Sequence, residues 1–291
     1  MSTPIPSADR RDADGIAQKL GAAVARWALT EMADVADGPT SRVLRARSGG
    51  HDVAVKLLKP YGADEIHGAE LMVWYGGLGS AEILDIADGT ILMEWLDGAP
   101  LADMVRGDHD RDAEAAGVLC DVVGELHRRR PQPVPLLTPL DRWLEPLRDT
   151  DFGFLGEAHG ALARRTQPLL RDLLATTTDT LPLHGDFHHD NVVHGRRGWL
   201  VIDPKGLIGD PHYELANVFR NPYGAGELAA RPERIGMLAD MFSARLGLDR
   251  RRLLQWAAVH AAISAVWDHA AGQDPGFNLI VLPLLLDAAE R

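Results

Sequence analysis

Two aspartates, an asparagine and a lysine carry the chemistry that this sequence is equipped to do. The octet HGDFHHDN at 184–191 sets Asp186 five residues ahead of Asn191, and WLVIDPKG at 199–206 supplies Asp203. An amide oxygen and a carboxylate suit a hard cation such as Mg²⁺, which keeps several waters and binds phosphate oxygens. The remaining carboxylate, Asp186, is then free to orient or deprotonate a hydroxyl. Those are parts of a kinase-type phosphoryl transfer, which also needs a cation on the nucleotide phosphates. Lys56 in HDVAVKLL (51–58) fits that need. Strand alternation puts Ala54, Lys56 and Leu58 on one face and Val53, Val55 and Leu57 on the other. A lysine inside an apolar strand is costly without partners. Glu65 and Glu70, on the segment that follows, are the carboxylates within reach.

The histidines invite a different reading. His188 and His189 have the residue type of metal ligands, and His189-Asp190 resembles the pair used by metal-dependent phosphohydrolases. That chemistry needs further His and Asp residues delivered by helices, whereas this pair sits in a loop ahead of a hairpin. It also leaves Lys56 without a purpose, so His188 reads as a structural or phosphate-side loop residue. A non-catalytic binding module is the other alternative, and it would be expected to lack the lysine, the aspartate or a cation ligand. On the acceptor side the candidates are Asp210, Asp268 and Asp274. An acid placed like Asp210, in GLIGDPHYELAN, more often satisfies backbone N–H groups, and Asp268 and Asp274 have a bland reading as acids near a helix end.

The elements that must position these residues divide the chain in two. Residues 1–14 read as weakly ordered, and 15–29 has apolar residues at helical spacing. Residues 34–60 hold short alternating runs around ADGPT and SGGH, which predicts three antiparallel strands ending in HDVAVKLL. Asp64 is placed to cap a helix over 65–75. The runs 81–86 and 89–96 read as two further strands. Beyond the connector LDGAP (96–100) the spacing predicts helices over 111–129, 141–149, 158–176, 234–245, 250–269 and 278–290. They are interrupted by a hairpin at 192–203, where two apolar runs flank GRRG. The resulting expectation is an N-lobe over 15–96 and a helical C-lobe over 97–291, with no internal repeat.

Composition narrows the partners. The 291 residues are 46% hydrophobic and 25% charged, with a net charge of −12. An acidic surface opposes nucleic-acid binding, which needs a basic excess, and it raises the local concentration of cationic ligands. The single cysteine, Cys120, permits no intrachain disulfide and sits in an apolar helical stretch, as a buried structural thiol would. The N-terminus has no apolar signal core, and the run LIVLPLLL (279–286) is too short to span a bilayer. A cytoplasmic enzyme with no membrane contact is the expectation.

A strand lysine in AVK, a helix glutamate, the HGDxxxxN loop and a strand-terminal Asp-Pro together resemble the aminoglycoside phosphotransferase family. RGWLVIDPKGLIGDPHYELANVFRNP (197–222), VKLLKP (55–60), ELMVWYGGLGSAEIL (70–84) and MADMFSARLGLDRRRLLQWA (237–257) are similar to the branch of the streptomycin 6-kinases and hydroxyurea phosphotransferases. The likeness spans roughly residues 25–270. It implies an α+β, protein-kinase-like bilobal fold. It implies that ATP and Mg²⁺ are used to phosphorylate a small molecule, a streptomycin-like aminoglycoside first and hydroxyurea or another metabolite as the alternative. Carried over by position, Asp186 is the catalytic aspartate, Asn191 and Asp203 the Mg²⁺ ligands, and Lys56 the lysine on the nucleotide phosphates. His184 orders the loop, and Glu94 to Leu96 form the adenine hinge. The usual lysine-to-glutamate spacing favours Glu70, while the streptomycin-kinase alignment keeps Glu65. No Gly-rich phosphate loop is present. ADGPTS (36–41) stands in its place, so Thr40, Ser41 and backbone N–H groups would serve there.

Overall fold

The alternating run HDVAVKLL becomes the central strand of the smaller lobe. In this computed structural model, which describes residues 10–62 and 65–291, the lobe comprises α1 (Arg10–Trp27), β1 (Thr30–Asp37), β2 (Ser41–Ser48), β3 (His51–Leu58), α2 (Glu65–Tyr75), β4 (Ile83–Ala87) and β5 (Thr90–Glu94). The five strands form one antiparallel sheet in the order β1-β2-β3-β5-β4. The two faces of β3 are buried against different helices, as its alternation requires. Val53, Val55 and Leu57 pack with Ile16, Ala23 and Trp27 of α1, whereas Ala54 and Leu58 pack with Ala69 and Met72 of α2. Lys56 lies on that second face, between the sheet and α2, and is only 7% exposed.

The expectation of weak order over 1–14 lies outside the described residues for 1–9, and α1 begins at Arg10. The capping role of Asp64 lies outside the described residues as well.

The larger lobe is mainly helical. It runs through α3 (Leu101–Gly107), α4 (Asp112–Leu126), β6 (Thr138–Pro139), α5 (Leu140–Trp143), α6 (Glu145–Arg148), α7 (Gly156–Arg164), α8 (Thr166–Ala175), β7 (Leu181–Leu183), β8 (Val192–Gly195), β9 (Gly198–Val201), β10 (Leu207–Gly209), α9 (Gly226–Ala229), α10 (Pro232–Leu246), α11 (Arg250–Ala270) and α12 (Gly276–Glu290). Leu253, Leu254, Trp256, Val259 and Ile263 bury α11 on several sides, which makes it the central helix of the lobe. Cys120 is buried at 2%, and burial pushes its thiol up to about 11, so it is an inert core residue.

Three differences from the sequence expectation matter for the site. The helices expected over 141–149 and 158–176 are each broken in two. Pro146, in the first turn of α6, supplies no N–H to continue α5. A three-stranded sheet of order β6-β10-β7, too short to register as alternation, ties the catalytic-loop strand to the segment after Asp203. A ten-residue 3₁₀ segment, Pro211–Arg220, follows it and buries Tyr213, Glu214 and Asn217. Among the described residues no helix is long and apolar enough to cross a membrane.

Candidate active site

Lys56 settles its burial by pairing twice. Its ammonium lies 2.5 Å from Glu65 Oε2 and 2.8 Å from Asp203 Oδ1. Burial works against the charge, but Asp203 and Glu65 outweigh it and hold the lysine above its ordinary value. The alternative left open by spacing is resolved for Glu65. Glu70 instead faces His67, 3.7 Å away, and lines a groove with Trp74 and Arg128 away from Lys56. The reason is helical phase. Glu65 opens α2 beside β3, and Glu70, five residues on, is carried past the face that meets the strand.

Asp203 reaches Lys56 from the far end of the β8–β9 hairpin. The pairing of Val192 with Val201 and the Ile202 N–H donated to the Asn191 carbonyl at 3.0 Å bring Asn191 and Asp203 together. Asp203 takes φ +60°, a strained conformation for a side chain that the surrounding packing must enforce. That packing is visible at Gly68, where a Cβ would lie 1.9 Å from the Pro204 carbonyl oxygen. The α2 backbone therefore rests directly on the loop that carries Asp203. Gly68→Ala gains about 1 kcal/mol of helix propensity. Pushing α2 off this loop should cost more, a net loss of about 1–3 kcal/mol. Turnover should fall by roughly 10²-fold as the Lys56–Asp203 pair shifts by about an ångström. Thermal denaturation and steady-state assays check both, and unchanged turnover would remove the loop contact from the site.

The catalytic-loop octet is held from beneath. The His184 imidazole is buried and kept below its ordinary pKa, chiefly by desolvation. Its Nε2 lies 2.8 Å from the Ile202 carbonyl, and its Nδ1 accepts the Asp186 N–H at 3.3 Å. Those two bonds assign the neutral tautomer with the proton on Nε2. The Asp186 carboxylate is about 30% exposed. Oδ1 accepts from Asn217 Nδ2 at 2.9 Å, and Oδ2 faces the Lys205 ammonium at 3.7 Å. Burial alone would raise its pKa, but His188, Lys205 and His184 hold it below the usual carboxylate range. Asn191 donates Nδ2 to the Asp186 carbonyl at 2.9 Å, which leaves its amide oxygen as the free end. Only Oδ1 of Asp203 contacts Lys56, and the side chain is 45% exposed. An amide oxygen and an open carboxylate oxygen can receive a hard, oxygen-preferring cation. Among the described residues no group of three or more His, Cys, Asp and Glu side chains is placed to hold a metal ion. His188 instead braces the loop, with Nε2 3.2 Å from Asn191 Nδ2, and His189 is fully buried.

Two cavities adjoin these groups. One of about 290 Å³ lies between the lobes, running from Lys56 and Asp203 past Ala54, Met93 and Ile202 to Leu96. Its walls are largely apolar, and the Leu96 backbone N–H and carbonyl at its rim have no partner among the described residues. The neighbouring Glu94 gives its N–H to the Glu82 carbonyl at 2.8 Å and its carboxylate to Arg197, so it lines the slot without free hinge groups of its own on those atoms. The second cavity, about 500 Å³, is bounded by Glu65, Glu145, Trp143, Trp267 and Lys205. Thr40 also lines it. Ser41 is buried at the start of β2, and its carbonyl accepts the Gly38 N–H.

The acceptor-side candidates separate. Asp210 is fully engaged within the lobe: its carboxylate accepts from the His212 N–H, Trp256 Nε1 and Arg252 Nε at 3.0, 2.9 and 2.6 Å. These partners outweigh burial and depress its pKa. Asp274 accepts the Gly276 N–H on Oδ1 at 2.8 Å. Asp268 follows Trp267, which lines the second cavity. It accepts from Asn278 at 2.6 Å, and burial raises its pKa against the opposing pull of Arg220.

Sequence reasoning missed Glu214 and Asn217. Glu214 is 1% exposed and accepts the N–H groups of His184 and Gly185 at 2.9 and 3.2 Å, with His127 Nε2 at 3.2 Å. Asn221 Nδ2 donates to Asn217 Oδ1, and Asn217 donates onward to Asp186. A signal was available in ELAN (214–217), where a glutamate and an asparagine interrupt an otherwise apolar stretch and would need partners once buried.

A family model described as aminoglycoside/hydroxyurea antibiotic resistance kinase matches residues 26–272. The chain is 36% identical over 247 residues to a streptomycin 3″-kinase of Klebsiella pneumoniae, covering 83% of this chain and 89% of the relative. It is 32% identical over 282 residues to a hydroxyurea phosphotransferase of Kitasatospora aureofaciens, covering 92% and 77%. Among solved structures, the amicoumacin kinase hAmiN in complex with AMP-PNP, Ca²⁺ and amicoumacin shares the fold, with a TM-score of 0.65 at 12% identity over 97% of this chain and 96% of that one.

Proposed function

The chain belongs to the aminoglycoside/hydroxyurea antibiotic resistance kinases, a small-molecule kinase family, and from that premise we propose that it transfers the γ-phosphoryl group of ATP to a hydroxyl of streptomycin or a related aminoglycoside. The observation that carries the reading is Lys56, ion-paired to both Glu65 and Asp203 at the inner end of an apolar slot. An adenine ring fits the slot against Ala54 and Met93, with the Leu96 backbone groups as its hydrogen-bond partners. The phosphates then reach Lys56.

Asn191 and Asp203 would hold Mg²⁺, which when bound neutralises charge on the phosphate oxygens. Asp186 receives the acceptor hydroxyl on Oδ2, since Asn217 occupies Oδ1. Its depressed pKa keeps it ionised at neutral pH, as a hydroxyl-orienting base must be. The Trp143–Trp267 pair, with ring centroids 5.3 Å apart, gives a sugar or cyclitol an apolar wall. Glu145 and Asp268, together with the net charge of −12, favour a cationic acceptor.

The test is ADP release from Mg²⁺-ATP against a panel of streptomycin, other aminoglycosides, hydroxyurea and simple sugars, with EDTA as the metal control. Turnover with streptomycin that EDTA abolishes is the expected result. Turnover with hydroxyurea alone would move the acceptor and leave the roles of Lys56 and Asp186 in place. No turnover with any acceptor would overturn the proposal.

A further inference from the structure

Among the described residues, Lys205 is a cation beside Asp186 that remains once Lys56 has been paired with Glu65 and Asp203. Lys205 is fixed by its backbone, whose N–H donates to the His184 carbonyl at 2.6 Å. The adjacent Gly206 has φ +68° and leaves no room for a Cβ against His67 and Gly68. The side chain projects into the wall of the second cavity, beside Glu65 and Trp267, and is about a third exposed at 36%. Its ammonium stands 3.7 Å from Asp186 Oδ2, too far for a good hydrogen bond. No carboxylate among the described residues comes closer to it. An ammonium held near the base oxygen, between Asp186 and the loop that bears Asp203, has donors to spare on the side facing the cavity.

Given the reaction proposed above, we propose that Lys205 is a catalytic residue that contacts the transferring phosphoryl group. In that step the acceptor oxygen forms a bond to the γ-phosphorus as the bond from phosphorus to the β,γ-bridging oxygen breaks. ADP leaves with the electron pair, and the acceptor proton passes to Asp186. Lys205 stays protonated throughout. Its ammonium donates to the equatorial oxygens of the group in flight, where charge is greatest and a fixed donor contributes most. Asn217 holds the other Asp186 oxygen, so Lys205 and the acceptor share the Oδ2 side. This arrangement gathers hydroxyl, base and phosphoryl group on the Oδ2 side of Asp186.

Lys205→Met tests this, with Lys205→Arg as the charge-retaining control. The expected result for Lys205→Met is a fall in kcat of roughly 10²-fold, little change in the KM for the acceptor, and partial recovery in Lys205→Arg. If Lys205 served only to keep Asp186 ionised, the kcat of Lys205→Met would regain the wild-type plateau as pH rises, and that recovery would overturn the proposal. A second readout needs no acceptor. ADP with aluminium fluoride mimics the phosphoryl group in transfer and should raise the Tm of the wild type above that with ADP alone. Lys205→Met should lose that increment while keeping the ADP shift, and an increment equal to the wild type would also overturn the role. A wild type with neither turnover nor an aluminium fluoride increment would strike the underlying phosphotransfer reading instead, so the two failures are distinct.

Discussion

Asp186→Asn is expected to lower kcat by about 10²- to 10⁴-fold while leaving ATP affinity nearly unchanged. The substitution keeps the shape of the side chain and an oxygen to accept from Asn217, so the loop should stay in place. It removes the negative oxygen that faces Lys205 and that is proposed to take the acceptor proton. The nucleotide contacts proposed above lie elsewhere, along the slot from Lys56 to Leu96. Steady-state kinetics and the ATP-induced shift in Tm separate the two effects. Full turnover in Asp186→Asn would remove Asp186 from the chemistry. The pH dependence has a definite sign. The carboxylate is active when ionised and its pKa lies below the ordinary value, so the acidic limb of kcat/KM should fall below the usual aspartate range of about 4.

The second large effect is expected at a residue that touches no substrate. Glu214 is a fully buried carboxylate, and its two oxygens satisfy the backbone at His184 and Gly185 and meet His127. Glu214→Ala strands two N–H donors and an imidazole in the interior. The cost should be about 3–5 kcal/mol of stability, as for removing one partner from a buried ionic cluster. Turnover should also fall, because the loop that aims Asp186 loses its anchor. Burial alone would raise the glutamate's pKa, but His127 and His184 hold it below the ordinary value. A depressed folded-state pKa contributes stability that is present above the unfolded value, about 4.3, and is lost as pH falls through the folded one. Denaturant melts of wild type and Glu214→Ala should therefore differ fully at neutral pH and converge in acid. A difference that persists undiminished at low pH would mean that the carboxylate's charge is not the source.

The hydroxyl that is phosphorylated, the 6 or the 3″ position of streptomycin or another altogether, depends on how an acceptor sits between the Trp143–Trp267 wall and Asp186. Mass spectrometry or NMR of the product from the acceptor panel reads it directly. The acidic character of the chain bears on recruitment of a cationic acceptor more than on that regiochemistry, because a net field acts over the whole surface while the choice of hydroxyl is made within a few ångströms of Oδ2.

What the sequence by itself determined was local. The alternation of HDVAVKLL set Lys56 on the α2 face of β3, the GRRG turn set the hairpin that closes Asn191 onto Asp203, and the helical periods gave a sheet lobe followed by a helical one. Each follows from a period or a turn within a dozen residues, and the family likeness rests on the same short stretches. Only the tertiary structure decided between Glu65 and Glu70, because the choice depends on the phase of α2 against β3. It showed how Asp210 is anchored, since its partners Arg252 and Trp256 lie more than forty residues along the chain, whereas the Asp274 contact to the Gly276 N–H is local. It also supplied Glu214, Asn217 and Lys205 to the loop. The glutamate and asparagine of ELAN signal a need for partners, but which partners they take is decided only when folding removes water. For that reason Lys56, Asp186, Asn191 and Asp203 were legible in the sequence, while Lys205 and the groups that hold the loop emerged only from the fold.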